Sequence, residues 1–256
     1  MEKIRRLKSS ESINDIIKIS EFSKSTFDHF IPLFVRQALA SSGEVFVSKE
    51  GGSLRGLYIY DPIEETGTCF TDSISAAKNF YSLGLGSEFF SKIKFKEDAK
   101  IEKINYLNIS CYESSLNIRN HIEILDFSRL SDIKRFLKKA YHKVNEKWVA
   151  TAMETGEKCF CCEVDNHIIG MGWISPFMNV ARLHSLYVEP EYRHISIGKD
   201  LLISRLYYAA HSGINKVISE IPEQSIYSQR IATEQGFRID GLLYNYQRTD
   251  TFNNRD

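Results

Sequence analysis

Leu183-His-Ser-Leu-Tyr-Val-Glu-Pro-Glu-Tyr-Arg-His-Ile-Ser-Ile-Gly-Lys-Asp-Leu-Leu202 decides how this chain folds. It opens as a strand ending at Leu186-Tyr-Val188, passes through a short loop with small residues at Ser196 and Gly198, and enters an amphipathic helix presenting Leu201, Leu202, Leu206 and Ala209. A strand that runs through a loop directly into a helix aims several backbone N–H groups and the positive helix end at one point. That geometry suits a phosphate or pyrophosphate. Gly198 permits close approach of an anion, and Arg193 or Lys199 adds charge. Small residues before a helix are also ordinary caps, so the stretch alone leaves both readings open.

Working outward, the pattern predicts a short strand at 122–125 and a helix to about Tyr141 capped by Ser128 or Ser131. A second helix over 146–154 and strands at 158–164, 168–175 and 181–188 follow. Beyond the 198–211 helix come a strand 216–221, a helix 224–235 stopped by Gly236, and strands 237–240 and 242–248. The order describes a mixed sheet with helices on it, an α/β fold.

The chain also repeats itself. Shifted by 114 residues, Glu44–Pro62 falls on Lys158–Pro176, with Phe46 on Phe160 and Gly56 on Gly170. Each copy reads as a hairpin with a polar turn (Glu50-Gly51-Gly52-Ser53; Asp165-Asn166) and a second strand entered through Gly. The same register places Asn79–Gly84 over Arg193–Gly198, so Ser82-Leu-Gly84-Leu-Gly86 is expected at the loop position of the first copy. Lys100–Lys103 falls where a helix-to-strand connection is expected. A helical region is expected over 12–40, and the copies join near Ser114–Arg119.

Composition sets the outer limits. At 256 residues, 43% hydrophobic and with only 5 Pro, the chain is long and apolar enough for one or two packed cores and is not a disordered chain. Equal numbers of basic and acidic side chains, 33 each, disfavour a nucleic-acid coat or a polybasic membrane binder. No long apolar run and no apolar N-terminal h-region occur, so a cytoplasmic protein is expected, with no nucleic-acid and no membrane partner. Five Cys at irregular spacing give no zinc pattern; buried free thiols are the plain reading, with Cys159 and Cys161 on one strand face and Cys162 on the other.

Residues 122–248 resemble the GNAT superfamily of N-acetyltransferases. The family's Arg/Gln-x-x-Gly-x-Gly/Ala after a strand ending Leu-x-Val stands here as Leu186-Tyr-Val188, Arg193-x-x-Ser196-x-Gly198 and Leu201-Leu202. The later helix ending in Gly-Phe stands as Ile231-Ala-Thr-Glu-Gln-Gly236-Phe237. The resemblance implies that acetyl-CoA lies beside the 181–188 strand as cosubstrate, held by Leu186, Val188, Arg193, His194, Ile195, Ser196, Ile197, Gly198 and Lys199. Its pyrophosphate would rest on the N–H groups of Ile195 to Lys199 and its thioester carbonyl near that of Leu186. The sequence departs from the family in three places: Ser196 for the first loop Gly, Ala232 where many members carry a Tyr acid, and Ser225 where an Asn is frequent. Tyr227 lies about 140° around the helix from Ala232 and is no replacement.

Transfer to an amine needs a base. The resemblance points to His184, since a His there serves some arylalkylamine acetyltransferases; the alternative is a strand His bonded to a neighbour. Glu163, Glu189 and Glu191 are other carboxylates, with Glu189 and Glu191 expected to be solvated. Trp148, Trp173, Phe177, Tyr244 and Tyr246 either line an acceptor pocket or form core. The sequence reading is therefore two tandem GNAT-like domains, 1–117 degenerate and 118–256 catalytic. The second acetylates a primary amine of a small molecule or peptide by direct attack; a non-catalytic acyl-CoA-binding or interaction module is the alternative.

Overall fold

The computed structural model describes residues 3–7, 30–41, 43–51, 53–109, 118–141 and 144–247. The expected helical segment 12–29, most of the join at 114–119 and Cys111 lie outside these residues. In chain order the elements are β1 (Lys3–Arg6), α1 (Ile31–Ala40), β2 (Glu44–Glu50), β3 (Ser53–Asp61), β4 (Thr66–Thr71), α2 (Ile74–Tyr81), β5 (Glu88–Ser91) and β6 (Lys100–Asn108). Then follow β7 (Glu123–Leu125), α3 (Leu130–Tyr141), α4 (Glu146–Glu154), β8 (Lys158–Val164), β9 (His167–Phe177), β10 (Val180–Val188), α5 (Ile197–His211), β11 (Lys216–Pro222), α6 (Ile226–Glu234) and β12 (Arg238–Gln247).

Two compact units result, and neither is a consecutive stretch. The first comprises Met1–Ile104, Pro222–Gln224 and Asp240–Asp256; the second comprises Asn105–Ile221 and Ser225–Ile239.

In the first unit β1 to β5 follow one another across the sheet, antiparallel except for β4 and β5, and Tyr244–Gln247 of β12 pairs antiparallel with β5. Aromatic rings fill its core. Tyr58 stacks on Phe89 at 5.2 Å and Tyr246 on Phe95 at 4.2 Å, while the Tyr246 hydroxyl accepts from Phe95 N–H (2.8 Å) and donates to Ile93 O (3.1 Å). Tyr246 is thus core of this unit. Gly67 leaves room for the Tyr58 ring, which a Cβ at 67 would strike.

The second unit orders its strands β6-β11-β10-β9-β8-β7. Strand alternation splits its core between two faces. Phe160, Cys162, Ile174 and Leu183 pack with α5 residues Leu201, Leu202 and Leu206 and with Ala232 of α6. Cys159, Cys161, Met171 and Trp173 face Ile133, Phe136 and Leu137 of α3 and Val149 and Ala152 of α4. Burial keeps the three β8 thiols protonated, Cys161 being pushed up to about 12, which removes them as nucleophiles. Among the described residues no helix is long and apolar enough to cross a membrane.

The repeated hairpin is present in both units: β2–β3 and β8–β9 begin 114 residues apart. The loop assignment in the first copy is not borne out. Asn79–Tyr81 belongs to helix α2, and 82–87 joins that helix to β5, a helix-to-strand connection. Only two residues, 72 and 73, link β4 to α2, against eight, 189–196, between β10 and α5. Ser73 accepts a hydrogen bond from Ala76 N–H (3.2 Å), so the first copy's helix caps itself. Lys100–Lys103 likewise lies in strand β6 and is no connection. Asp126, and neither expected serine, caps the entry to α3 by accepting from Ser128 N–H at 2.9 Å.

Candidate active site

Strands β10 and β11 run parallel from Val180↔Lys216 to Leu183↔Ser219, where their pairing stops. One residue later the register with β9 jumps from His184↔Trp173 to Tyr187↔Met171, so Ser185 and Leu186 together oppose Gly172. This is a β-bulge, and Ser185 holds φ at 51°, a left-handed value uncommon for a side-chain-bearing residue. The outcome is an opening beside the second half of β10, with Leu186 and Val188 on its wall.

The loop beyond is built around two more left-handed residues, His194 (φ 68°) and Ser196 (φ 73°). Ser196, standing where the GNAT pattern has Gly, adopts glycine-like backbone and makes no side-chain cap to the 15-residue helix α5. The first helical bond from this loop is Asp200 N–H to Ser196 O (2.9 Å). The N–H groups of Ile195 through Lys199 have no acceptor among the described residues. Asp200, the first acid of the helix, is turned away: its carboxylate accepts from Asn120 N–H (2.9 Å), Asn120 Nδ2 (2.6 Å) and Arg119 N–H (3.2 Å). Arg193 donates to Val188 O at 3.0 Å and braces the strand end. His194 rests edge-on against Tyr227 at 5.5 Å, and Lys199 reaches Glu234 at 3.4 Å, so α6 borders the loop. Ala232 is buried in the α5 cluster, leaving no hydroxyl at that position.

His184 points to the opposite face, toward α4. Its Nε2 lies 2.8 Å from Ser175 Oγ and 3.1 Å from Glu157 Oε2, and its Nδ1 lies 3.0 Å from Ser185 Oγ. Trp173 stacks near it at 6.2 Å and Trp148 meets it edge-on at 5.8 Å. Burial lowers the imidazole pKa from its ordinary 6.5, against the opposing hydrogen bond to Glu157, so the ring is neutral at pH 7. Beside it Arg182 grips Glu220 through both carboxylate oxygens (3.0 and 3.2 Å). The Trp173 indole N–H is buried with no partner among the described residues.

Glu157 was not singled out in the sequence. It follows Gly156 (φ 98°) and donates its N–H to Ala152 O (3.0 Å), closing α4 in the position where helix-ending motifs place an apolar residue. A carboxylate there was the available signal. The other acids are committed elsewhere: Glu163 pairs with Arg129 (2.6 Å), and Glu189, expected in solvent, is buried and paired with Lys139 (2.6 Å).

The second unit thus combines a bulged strand, a loop of N–H groups without acceptors among the described residues at a helix start, and a buried histidine across the sheet. Residues 122–237 match the Acetyltransferase (GNAT) family, so the chain carries a GNAT domain, and members of that family use acyl-CoA. Among solved structures, a tandem GNAT protein from the clavulanic acid biosynthesis pathway is similar over 98% of this chain and 100% of its own, at TM-score 0.63 and 10% identity. A GNAT-family acetyltransferase from Colwellia psychrerythraea covers 96% and 100% at TM-score 0.60 and 15% identity. A Drosophila protein covers 96% and 98% at TM-score 0.65 and 11% identity. The fold is therefore that of tandem GNAT-like domains. No curated protein matches the chain in sequence.

Proposed function

We propose that the second unit is an acetyl-CoA-dependent N-acetyltransferase that acetylates a primary amine of a small molecule or peptide by direct attack. The observation that carries the reading is the row of unpartnered N–H groups at Ile195–Lys199 beside the bulge at Ser185–Leu186. The row fits a pyrophosphate, because it presents donors that the fold leaves unused, and the bulge at Leu186 fits a thioester carbonyl, because it interrupts the regular pairing of β10 with β9. Leu186, Val188, Arg193, His194, Ile195, Ser196, Ile197, Gly198 and Lys199 would hold the cosubstrate, which supplies an acyl thioester with a good leaving group. His184 takes the proton of the incoming ammonium, and Trp148 and Trp173 shape the approach. The first unit, whose helix caps itself, supports the second. The free thiols of the described residues, Cys69, Cys159, Cys161 and Cys162, suit a reducing cytoplasm.

Thiol release from acetyl-CoA across a panel of primary amines tests this. His184→Ala should lower turnover roughly 10²–10⁴-fold with acetyl-CoA affinity kept. Gly198→Val should abolish that affinity in calorimetry: a Cβ at 198 meets only Val188, at 3.8 Å, so the variant folds while its bulk obstructs the anion. Parent affinity in Gly198→Val moves the cofactor elsewhere. Acetyl-CoA binding without turnover of any amine supports the non-catalytic reading, which the buried Ala232 favours.

A further inference from the structure

His184 has no ring nitrogen left for a substrate. Its side chain is only 6% exposed, Nε2 faces Glu157 and Ser175, and Nδ1 faces Ser185. A proton arriving from outside must therefore come through a neighbour. Glu157 (2% exposed) and Ser175 are buried, whereas Ser185 is half-buried at the bulge, one residue before Leu186. Its left-handed backbone costs about 1–3 kcal/mol, which glycine would avoid. Serine keeps a hydroxyl there that glycine lacks.

We propose that Ser185 is the catalytic residue that touches the attacking amine, passing its proton to His184, and that Glu157 is a positioning residue fixing the imidazole tautomer. This rests on the reading of His184 as base. The relay takes Glu157 as a carboxylate, which can only accept, and so places the proton between Glu157 and His184 on Nε2, where Ser175 Oγ also accepts at 2.8 Å. A neutral imidazole carries one proton, so Nδ1 holds a lone pair and accepts from the Ser185 hydroxyl. In the step, one ammonium N–H bond breaks as its proton moves to Ser185 Oγ, while the hydroxyl proton moves to Nδ1. The amine is left neutral with its lone pair free. The imidazolium is held by Ser185 at Nδ1 and Glu157 at Nε2, and later releases its proton to solvent. The charged groups facing the ring are Glu157 from the α4–β8 connection, Arg182 on its own strand and Glu220 from β11, the last two paired with each other.

Two measurements on the full-length protein test the relay. Long-range 15N–1H spectra of histidine-labelled protein at pH 7.5, assigned by the signal lost in His184→Gln, should show His184 protonated at Nε2 alone. Protonation at Nδ1 alone overturns the proposal whether or not an amine substrate is known. With acetyl-CoA and tryptamine as the probe pair, Ser185→Gly should keep or raise the parent melting temperature, because φ 51° suits glycine. Its kcat should fall roughly 10²-fold with unchanged KM for acetyl-CoA, since acid–base assistance contributes on that scale. Glu157→Gln should shift the acid limb of the pH–rate profile downward, the imidazolium having lost its carboxylate. If His184→Ala is impaired while Ser185→Gly turns over at the parent rate, the relay is wrong and the base assignment stands. If His184→Ala keeps the parent rate, the base assignment itself fails. An acetyl group found on Ser185 by intact mass would replace the relay with a covalent route.

Discussion

Gly172→Ala should destabilise the second unit by about 2–4 kcal/mol, through a single buried guanidinium. A Cβ at 172 would stand 2.9 Å from Arg205 Cζ and 3.1 Å from Nε and Nη1. Arg205 is 1% exposed, has no carboxylate partner among the described residues, and donates to Leu201 O and Trp173 O at 3.0 Å each. Burial pushes its pKa down from the ordinary guanidinium range to about 10. At 1.36 kcal/mol per unit, that is on the order of 3 kcal/mol against the charged form. Two charge-assisted bonds, roughly 1.5–3 kcal/mol each, offset this. The guanidinium cannot withdraw from an added methyl without weakening them, and overpacking itself costs about 1–3 kcal/mol. Arg205→Met should stay within about 1 kcal/mol of parent, because the desolvation cost leaves with the bonds. In that background Gly172→Ala should cost less than about 1 kcal/mol, since a thioether side chain yields. Urea unfolding followed by tryptophan fluorescence reads this unit selectively, because Trp148 and Trp173 are the chain's two tryptophans and both lie in it. Equal cost of Gly172→Ala in the two backgrounds would refute the argument.

Two further expectations concern the site. His184 has a lowered pKa, so below pH 6.5 the unfolded chain binds a proton that the folded chain refuses. Stability should fall with pH there by up to about 1.4 kcal/mol per unit, and His184→Gln should remove that slope in denaturation series; parallel slopes would mean the ring titrates normally. Ser196→Gly relieves a left-handed serine costing about 1–2 kcal/mol but adds unfolded-state entropy, so stability should change by about 0 to +1 kcal/mol. A clear loss in a thermal melt would show that the Ser196 side chain contributes to the loop.

Much of the second unit was legible because local signals agreed. Helix 146–154 has the expected bounds, and Pro190, Ser196 and Gly198 mark the loop that turns strand into helix. The first copy misled where it had lost that loop. Helix α2 begins 123 residues before α5 (197 − 74), so a register of 114 carried past the hairpin read its C-terminal turn as a cofactor loop. The polar cluster was half legible. A histidine next to the motif stood out, but Glu157, Ser175 and Ser185 look like any surface residues until three separate segments fold together. Burial of Glu189 was equally hidden, since its partner Lys139 lies fifty positions earlier.

The unit memberships also bear on synthesis. Tyr244–Gln247 supplies the strand that covers β5, so the first-made unit keeps an open sheet edge until residues 244–247 have been made and paired. The second unit ends at Ile239 and can close earlier. Removing Tyr244–Gln247 should therefore bare the β5 edge of the first unit while taking no residue from the second, so the two units would answer differently to the same short truncation.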